Sequence, residues 1–309
     1  MDYIWPVIGL GAVAFASWAL WNEIKDLSLA DVEAGLTAIS PLHWLLAIAA
    51  TLTAYSALAW YDQIALAHMG RRLGWGFIAL VSFTTYALSH NIGASVFSGA
   101  VVRYRAYSSK GLGMGEVGLL VAFCSFTFTL GNVMLGAIVL AFEPQIIHRW
   151  VGAPPWLGPL FGFAALAGVG LYILGSLLHF APLRIGRFEL VYPRPPIVAR
   201  QLLAGPIELL GAAGIIYFAL PEVGNPGFLI VLGIFLASFT AALISHAPGG
   251  LGVLEFAFIT AMPDAPKANV LAALIVFRLL YLVIPLLFAL IVVAVFERQR
   301  ISELLHAKR

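Results

Sequence analysis

The sequence predicts an all-α polytopic membrane protein with six spanning helices and two re-entrant helical hairpins, arranged as an inverted-topology repeat. Three observations predict it. The 309 residues are 61% hydrophobic and only 10% charged, whereas a soluble domain carries about 25% charged residues. The apolar residues gather into long stretches, and the basic residues gather into only some of the connections between them. Finally, one polar, helix-breaking phrase occurs twice: "SFTTYALSHNIG" at 82–93 and "SFTAALISHAPG" at 238–249 share six of twelve letters at an offset of 156.

The stretches lie at roughly 3–21, 43–66, 76–102, 117–141, 157–180, 198–220, 226–262 and 268–296. A hydrocarbon core is crossed by about 20 apolar residues, so each is long enough to enter it. The first begins "MDYIWPVIGL", with no Lys or Arg before its apolar run; it therefore reads as a membrane helix and not a signal peptide. The acidic connection after it, with Glu23, Asp26, Asp31 and Glu33 against Lys25, is expected outside. Cytoplasmic connections are enriched in Lys and Arg. Four groups meet that description: Arg71 and Arg72; Arg103, Arg105 and Lys110; Arg184, Arg187, Arg194 and Arg200; and Arg298, Arg300, Lys308 and Arg309. They hold thirteen of the 17 basic residues.

Placing all four groups in the cytoplasm makes 76–102 enter and leave on the inner side, and 226–262 on the outer side. Each is then a hairpin that turns back at its repeated phrase, and both chain termini are cytoplasmic. Eight plain spans would instead put Arg103, Arg105 and Lys110 outside. The offset of 156 maps the remaining spans onto one another with opposite orientation. Residues 1–150 thus form a first repeat of two spans, the hairpin 76–102 and one span. Residues 151–309 form a second, with the hairpin 226–262 and a basic tail. Inverted repeats of this kind are built by many transporters.

Non-helical backbone at membrane depth is tolerated where it is buried in protein or lines a watery cavity. The second arms begin near Asn91–Gly93 and Pro248–Gly250, aiming free backbone N–H groups at the membrane centre, a geometry that suits an anion such as a lipid phosphate. The candidate substrate contacts are Ser89, His90, Asn91 and Gly93 in the first hairpin, and Ser245, His246, Gly249 and Gly250 in the second. The competing reading is close helix packing through glycine and hydrogen-bonded structural histidines.

Ionisable residues inside spans are a second signal, since each costs about 2.5–3.5 kcal/mol near the centre on insertion scales. Asp62, Glu208, Glu255 and Arg278 qualify, and Arg103 lies at the mouth of the first hairpin. Arg278 is expected to face a carboxylate or a phosphate, and Glu255 to cap the half-helix behind the second break. An internal ion pair that fixes packing is the alternative for each; for Arg103 it is a positive-inside anchor. The lone Cys124 excludes an intramolecular disulfide, and the net charge of +2 is too small to call for nucleic acid. No cofactor is expected. A homo-oligomer is left open.

The phrases "WYDQIALAHMG", "NIGASVFSGAVVRYRAY", "HAPGGLGVLE" and "FRLLYLVIP", in this order across nearly the whole chain, resemble the flippase part of the lysylphosphatidylglycerol synthase (multiple peptide resistance factor) membrane proteins and their stand-alone relatives. The resemblance implies a bacterial inner-membrane protein that moves aminoacylated or other phospholipids between leaflets. It places the family's important Asp and Arg on Asp62 and Arg103, and an important Glu on Glu208. Bifunctional members continue into an aminoacyl-transferase domain; a chain ending "ERQRISELLHAKR" is expected to be a stand-alone relative or a truncated one. Two other readings stand beside the transporter. An intramembrane enzyme acting on lipid phosphate would use His90 and His246, but the sequence offers no metal-ligand cluster and no nucleophile with a base nearby. A non-catalytic membrane scaffold would tolerate substitution at Asp62 and Arg278.

Overall fold

The computed structural model describes residues 28–92, 95–143, 152, 154–180, 183–185, 188–190, 192–245 and 250–306. The expected first span at 3–21 lies outside the described residues. The acidic connection contains a short helix, α1 (Leu29–Thr37), that span-by-span reading passes over. Its start is closed reciprocally: Asp31 N donates to Ser28 Oγ at 3.2 Å and Ser28 N donates to Asp31 Oδ2 at 2.8 Å. Those bonds hold the Asp31 carboxyl below its ordinary range.

Two helices form the centre. α2 (Pro41–His68) starts behind Ser40, whose side chain accepts from His43 N, and carries Pro41 in its first turn. The later helix Pro195–Ala219 begins with proline in the same way. The two run antiparallel, since Tyr61 meets Gly205 and Glu208 while Ala50 and Ala54 meet Gly211. At Gly211 the backbones are so close that a Cβ would lie 2.9 Å from Ala50 O and Ala54 N. Glycine permits that approach, and dispersion between backbones replaces the hydrophobic drive that lipid does not supply.

The stretch 76–102 breaks into α3 (Trp75–Ile92) and α4 (Ser95–Ser108). They fold back on each other. Phe77 packs edge-on to Tyr107 with ring centres 5.8 Å apart, Lys110 Nζ lies 5.2 Å from the Phe77 ring, and Gly99 faces Thr85 and Ser89. Both open ends of the hairpin therefore lie together. α5 (Met114–Phe142) starts beside them, because Arg71 Nη2 bonds Glu116 Oε1 at 2.7 Å. The basic connections at 69–74 and 109–113 thus share one end of the bundle. Asn91 still belongs to α3, and Gly93 lies outside the described residues.

α6 (Leu157–Leu177) follows, then a ribbon of β1 (Leu183–Ile185) and β2 (Phe188–Leu190), with Leu183 opposite Leu190. This ribbon departs from an all-α reading. It occupies a connection bounded by Pro182 and Pro193, and neither proline could continue a helix through its interior. α7 is Pro195–Ala219. The stretch 226–262 becomes α8 (Phe228–Ser245) and the nine-residue α9 (Val253–Ala261), which pack together. α9 begins at Val253 behind Gly252; of the expected start, Pro248 and Gly249 lie outside the described residues, and Gly250 and Gly252 both take positive φ, at 67° and 78°. α10 (Lys267–Phe277) passes through a wide π-helical turn, Arg278–Val283, into α11 (Ile284–His306).

Among the described residues five helical segments are long and apolar enough to cross a membrane: α2, α5, α6, α7 and the continuous segment Lys267–Val295. Leu160, Phe161, Phe163, Leu171 and Leu290 are at least half exposed. In water so much exposed apolar surface would be a liability; facing acyl chains it costs nothing. The chain is a multi-pass membrane protein.

Candidate functional site

Buried polar side chains converge where α2, α3, α4, α7 and the π turn meet. On α2, Asp62 is fully buried and its carboxylate is filled from two helices, α4 and α5. Arg103 on α4 donates Nη2 to Oδ1 at 2.7 Å and Nε to Oδ2 at 3.2 Å. Tyr107, one turn further along α4, donates its hydroxyl to Oδ2 at 2.8 Å, and Cys124 Sγ on α5 lies 3.4 Å from Oδ1. Arg103 is only 4% exposed, and its guanidinium sits 4.7 Å above the Tyr86 ring. The bidentate pair, a third donor and an aromatic face together compensate for taking both charges out of water.

Tyr61, next to Asp62, faces the second half of the chain. Its hydroxyl lies 3.4 Å from both Gly205 O and Glu208 Oε2. Glu208 on α7, 2% exposed, accepts from Tyr281 Oη at 2.7 Å, and Tyr281 O accepts from Tyr55 Oη at 2.9 Å. His90 joins the two groups. Its ring stacks on Tyr281 at 5.2 Å and lies 5.6 Å from Tyr86. A continuous run of ionic, hydrogen-bonding and aromatic contacts therefore leads from Asp62 through Arg103, Tyr86, His90 and Tyr281 to Glu208. Thr85 Oγ1 and His90 Nδ1 are buried beside it with no hydrogen-bond partner among the described residues.

A second ion pair closes the other hairpin. Arg278 Nε donates to Glu255 Oε1 at 2.7 Å, while Glu255 Oε2 accepts from Gly252 N at 2.9 Å. Arg278 thus faces a carboxylate, and that carboxylate already occupies the start of α9. Replacing Glu255 with Ala should remove the cap and the charge partner together and cost about 1–3 kcal/mol. Glu255→Gln, which can still accept from Gly252 N, should cost less; thermal unfolding in detergent compares the two.

The other candidates sit as follows. Ser89 Oγ donates to Thr85 O at 2.7 Å, and Asn91 Nδ2 donates to Ala87 O at 2.8 Å and Leu282 O at 3.2 Å. Gly250 is packed under Leu254 and Ala242. Ser245 ends α8, and its side chain lies outside the described residues, as do Gly93, His246 and Gly249. The structure brings Asp62 to Arg103, Glu255 to Arg278, and His90 to Tyr281 beside Glu208. Sequence reasoning missed Tyr61, Tyr86, Tyr107 and Tyr281, and drew from Cys124 only the exclusion of a disulfide. Tyr107 was findable, since a residue four after Arg103 shares its helix face.

The family profile described as "Lysylphosphatidylglycerol synthase TM region" matches residues 7–289. An uncharacterized protein of Synechocystis, slr0712, is 30% identical over 298 residues, covering 94% of this chain and 90% of that protein. Inner membrane protein YbhN of Escherichia coli is 30% identical over 260 residues, covering 82% of this chain and 80% of its own. A phosphatidylglycerol lysyltransferase of Staphylococcus aureus is 22% identical over 282 residues, which are 90% of this chain but 32% of the transferase.

Proposed function

The chain belongs to the lysylphosphatidylglycerol synthase TM-region family, and from that premise we propose that it is a lipid transporter of the bacterial inner membrane. It acts as a flippase or scramblase, moving phospholipid or a related anionic or aminoacylated lipid between leaflets, and it is not an enzyme. The inner-membrane assignment follows the Escherichia coli relative. The Staphylococcus aureus relative is named for chemistry on phosphatidylglycerol, which makes that lipid the first cargo to test.

The element order supports an inverted repeat. α2, the α3–α4 hairpin and α5 correspond at the offset of 156 to α7, the α8–α9 pair and the α10–α11 helix. The corresponding helices α2 and α7 run antiparallel, as opposite insertion requires. In this reading both hairpins are re-entrant.

The single observation that carries the proposal is the Asp62–Arg103 pair. Two charges buried in a membrane bundle are an expensive way to pack helices. Their link through Tyr86, His90 and Tyr281 to Glu208 runs across the junction of the two halves, where a transporter alternates its access. Separating the pair would expose both charges to a lipid phosphate and a headgroup amine.

Purified protein in vesicles with fluorescent phosphatidylglycerol tests this. The labelled lipid is expected to change leaflets faster than in empty vesicles, and Asp62→Asn to slow it at least about tenfold, or ~1.4 kcal/mol. Movement no faster than in empty vesicles, or an unchanged rate for Asp62→Asn in a folded sample, would count against the assignment.

A further inference from the structure

The outer face of α2 carries a groove that the buried cluster does not use. It has a volume of about 650 Å³ and is lined by Leu52, Thr53, Ser56, Ala57, Trp60, Gln63, Trp75 and Ile207. Three of its side chains, Thr53, Ser56 and Gln63, are polar at helical spacing, and the same helix turns Tyr55, Tyr61 and Asp62 inward. Thr53 satisfies its hydroxyl on Ala49 O at 2.8 Å. The side chains of Ser56 and Gln63 make no hydrogen bond among the described residues. α2 has 28 residues, about 42 Å at 1.5 Å per residue, so its middle falls near Thr53. The polar row from Thr53 to Gln63 then runs some 15 Å, from the bilayer centre to the end where Trp75 and Arg72 stand.

We infer that this groove is a lateral track for the headgroup of a glycerophospholipid, running from the basic end of the bundle to mid-membrane. The inference rests on the transporter reading and adds a place to it. Unsatisfied hydroxyl and amide groups facing acyl chains are costly, and a headgroup sliding past would satisfy them. Leu52 is 64% exposed and Trp75 48%, so the groove opens sideways to lipid and not through a pore from water. Arg72 is exposed and makes no ion pair among the described residues; it supplies the positive charge that would meet a phosphate where the track begins. Trp60 and Trp75 give the indole flanks that favour the interface. The lining itself holds neither acid nor base, so the track guides headgroups of differing charge.

The test labels Ser56→Cys, and separately Leu171→Cys on the exposed face of α6, with a small fluorophore; the native Cys124 is buried. Each labelled protein is placed in phosphatidylcholine vesicles holding a lipid that carries a quencher either on its headgroup or at its acyl-chain end. Headgroup quenching is expected to be at least about threefold stronger at position 56 than at position 171, although both lie in the hydrocarbon layer by helix length. Equal headgroup quenching at the two positions overturns the inference. Protection of position 56 from both quenchers overturns it too, and marks the groove as a face for a second copy. Lipid movement is then measured on Ser56→Val/Gln63→Leu, which leaves the buried cluster intact; a fall of roughly tenfold is expected for two lost hydrogen bonds. Wild-type transport with headgroups absent from the groove defeats the track alone. Headgroups in the groove without any transport defeats the transporter reading and keeps the lipid site.

Discussion

Arg103→Leu, with Asp62 left in place, is expected to destabilise the protein by about 3–5 kcal/mol, the cost of stranding one buried charge. The aspartate would keep Tyr107 and Cys124 as donors, and neither supplies a positive charge. The double change Asp62→Leu/Arg103→Leu should recover most of that loss, because apolar side chains of similar volume replace buried ion pairs at little net cost. Denaturation in detergent measures both. The pairing of stability with lipid movement is what discriminates. A double variant as stable as the wild type that no longer moves lipid assigns the pair to transport. One that is stable and active makes it a packing device, and the transporter would then need another polar path. A single Arg103→Leu that costs under about 1 kcal/mol would mean that water reaches Asp62, contrary to its complete burial.

The second large effect is expected at Gly205→Ala. Here α5 and α7 cross with their backbones in contact: a Cβ on Gly205 would lie 2.8 Å from Thr127 O and 2.9 Å from Gly131 Cα. Backbone atoms cannot rotate away as a side-chain tip can, so the helices must part. Overpacking of this kind costs about 1–3 kcal/mol, and Gly205→Leu more. The same shift would also pull Glu208, one turn on, away from Tyr61. The loss of stability is therefore expected to come with slower lipid movement. Gly136→Ala on α5 and Gly168→Ala on α6 are the controls, since nothing lies within 4 Å of either added Cβ. They should unfold with the wild type; a loss equal to that of Gly205→Ala would refute the crossing as the cause.

The sequence was most legible where lipid imposes its own rules. Stretch lengths located the five spanning helices of the described residues, and the repeated phrase marked where 76–102 and 226–262 break into two helices, because a bilayer fixes helix length and a polar phrase stands out in an apolar run. Inward faces were not legible. A soluble helix advertises its core side by polar contrast, but the lipid side of α6, with Leu160, Phe161, Phe163 and Leu171, is as apolar as its packed side. Asp62 was readable as an outlier, yet its partner Arg103 stands 41 residues away and Tyr281 stands 73 from Glu208. Pairings at that separation are decided by tertiary packing, which one sequence does not encode in any local pattern. The tyrosines passed unnoticed for a related reason: an aromatic residue in a membrane span is ordinary until its hydroxyl finds a buried carboxylate. The Ser28–Asp31 cap was visible in principle and marks α1, a helix too short to announce itself by hydropathy.

The π turn at Arg278–Val283 lets one continuous rod serve two customers. A single extra residue throws the segments on either side out of phase by about 100°. The stripe that α10 lays against α7 and the stripe that α11 lays against α3 are consequently different columns of the same helix. Deleting one residue there would bring the columns back into line and swing one of the two contacts toward the acyl chains. The irregularity is the gearing by which the last helix grips both halves of the molecule at once.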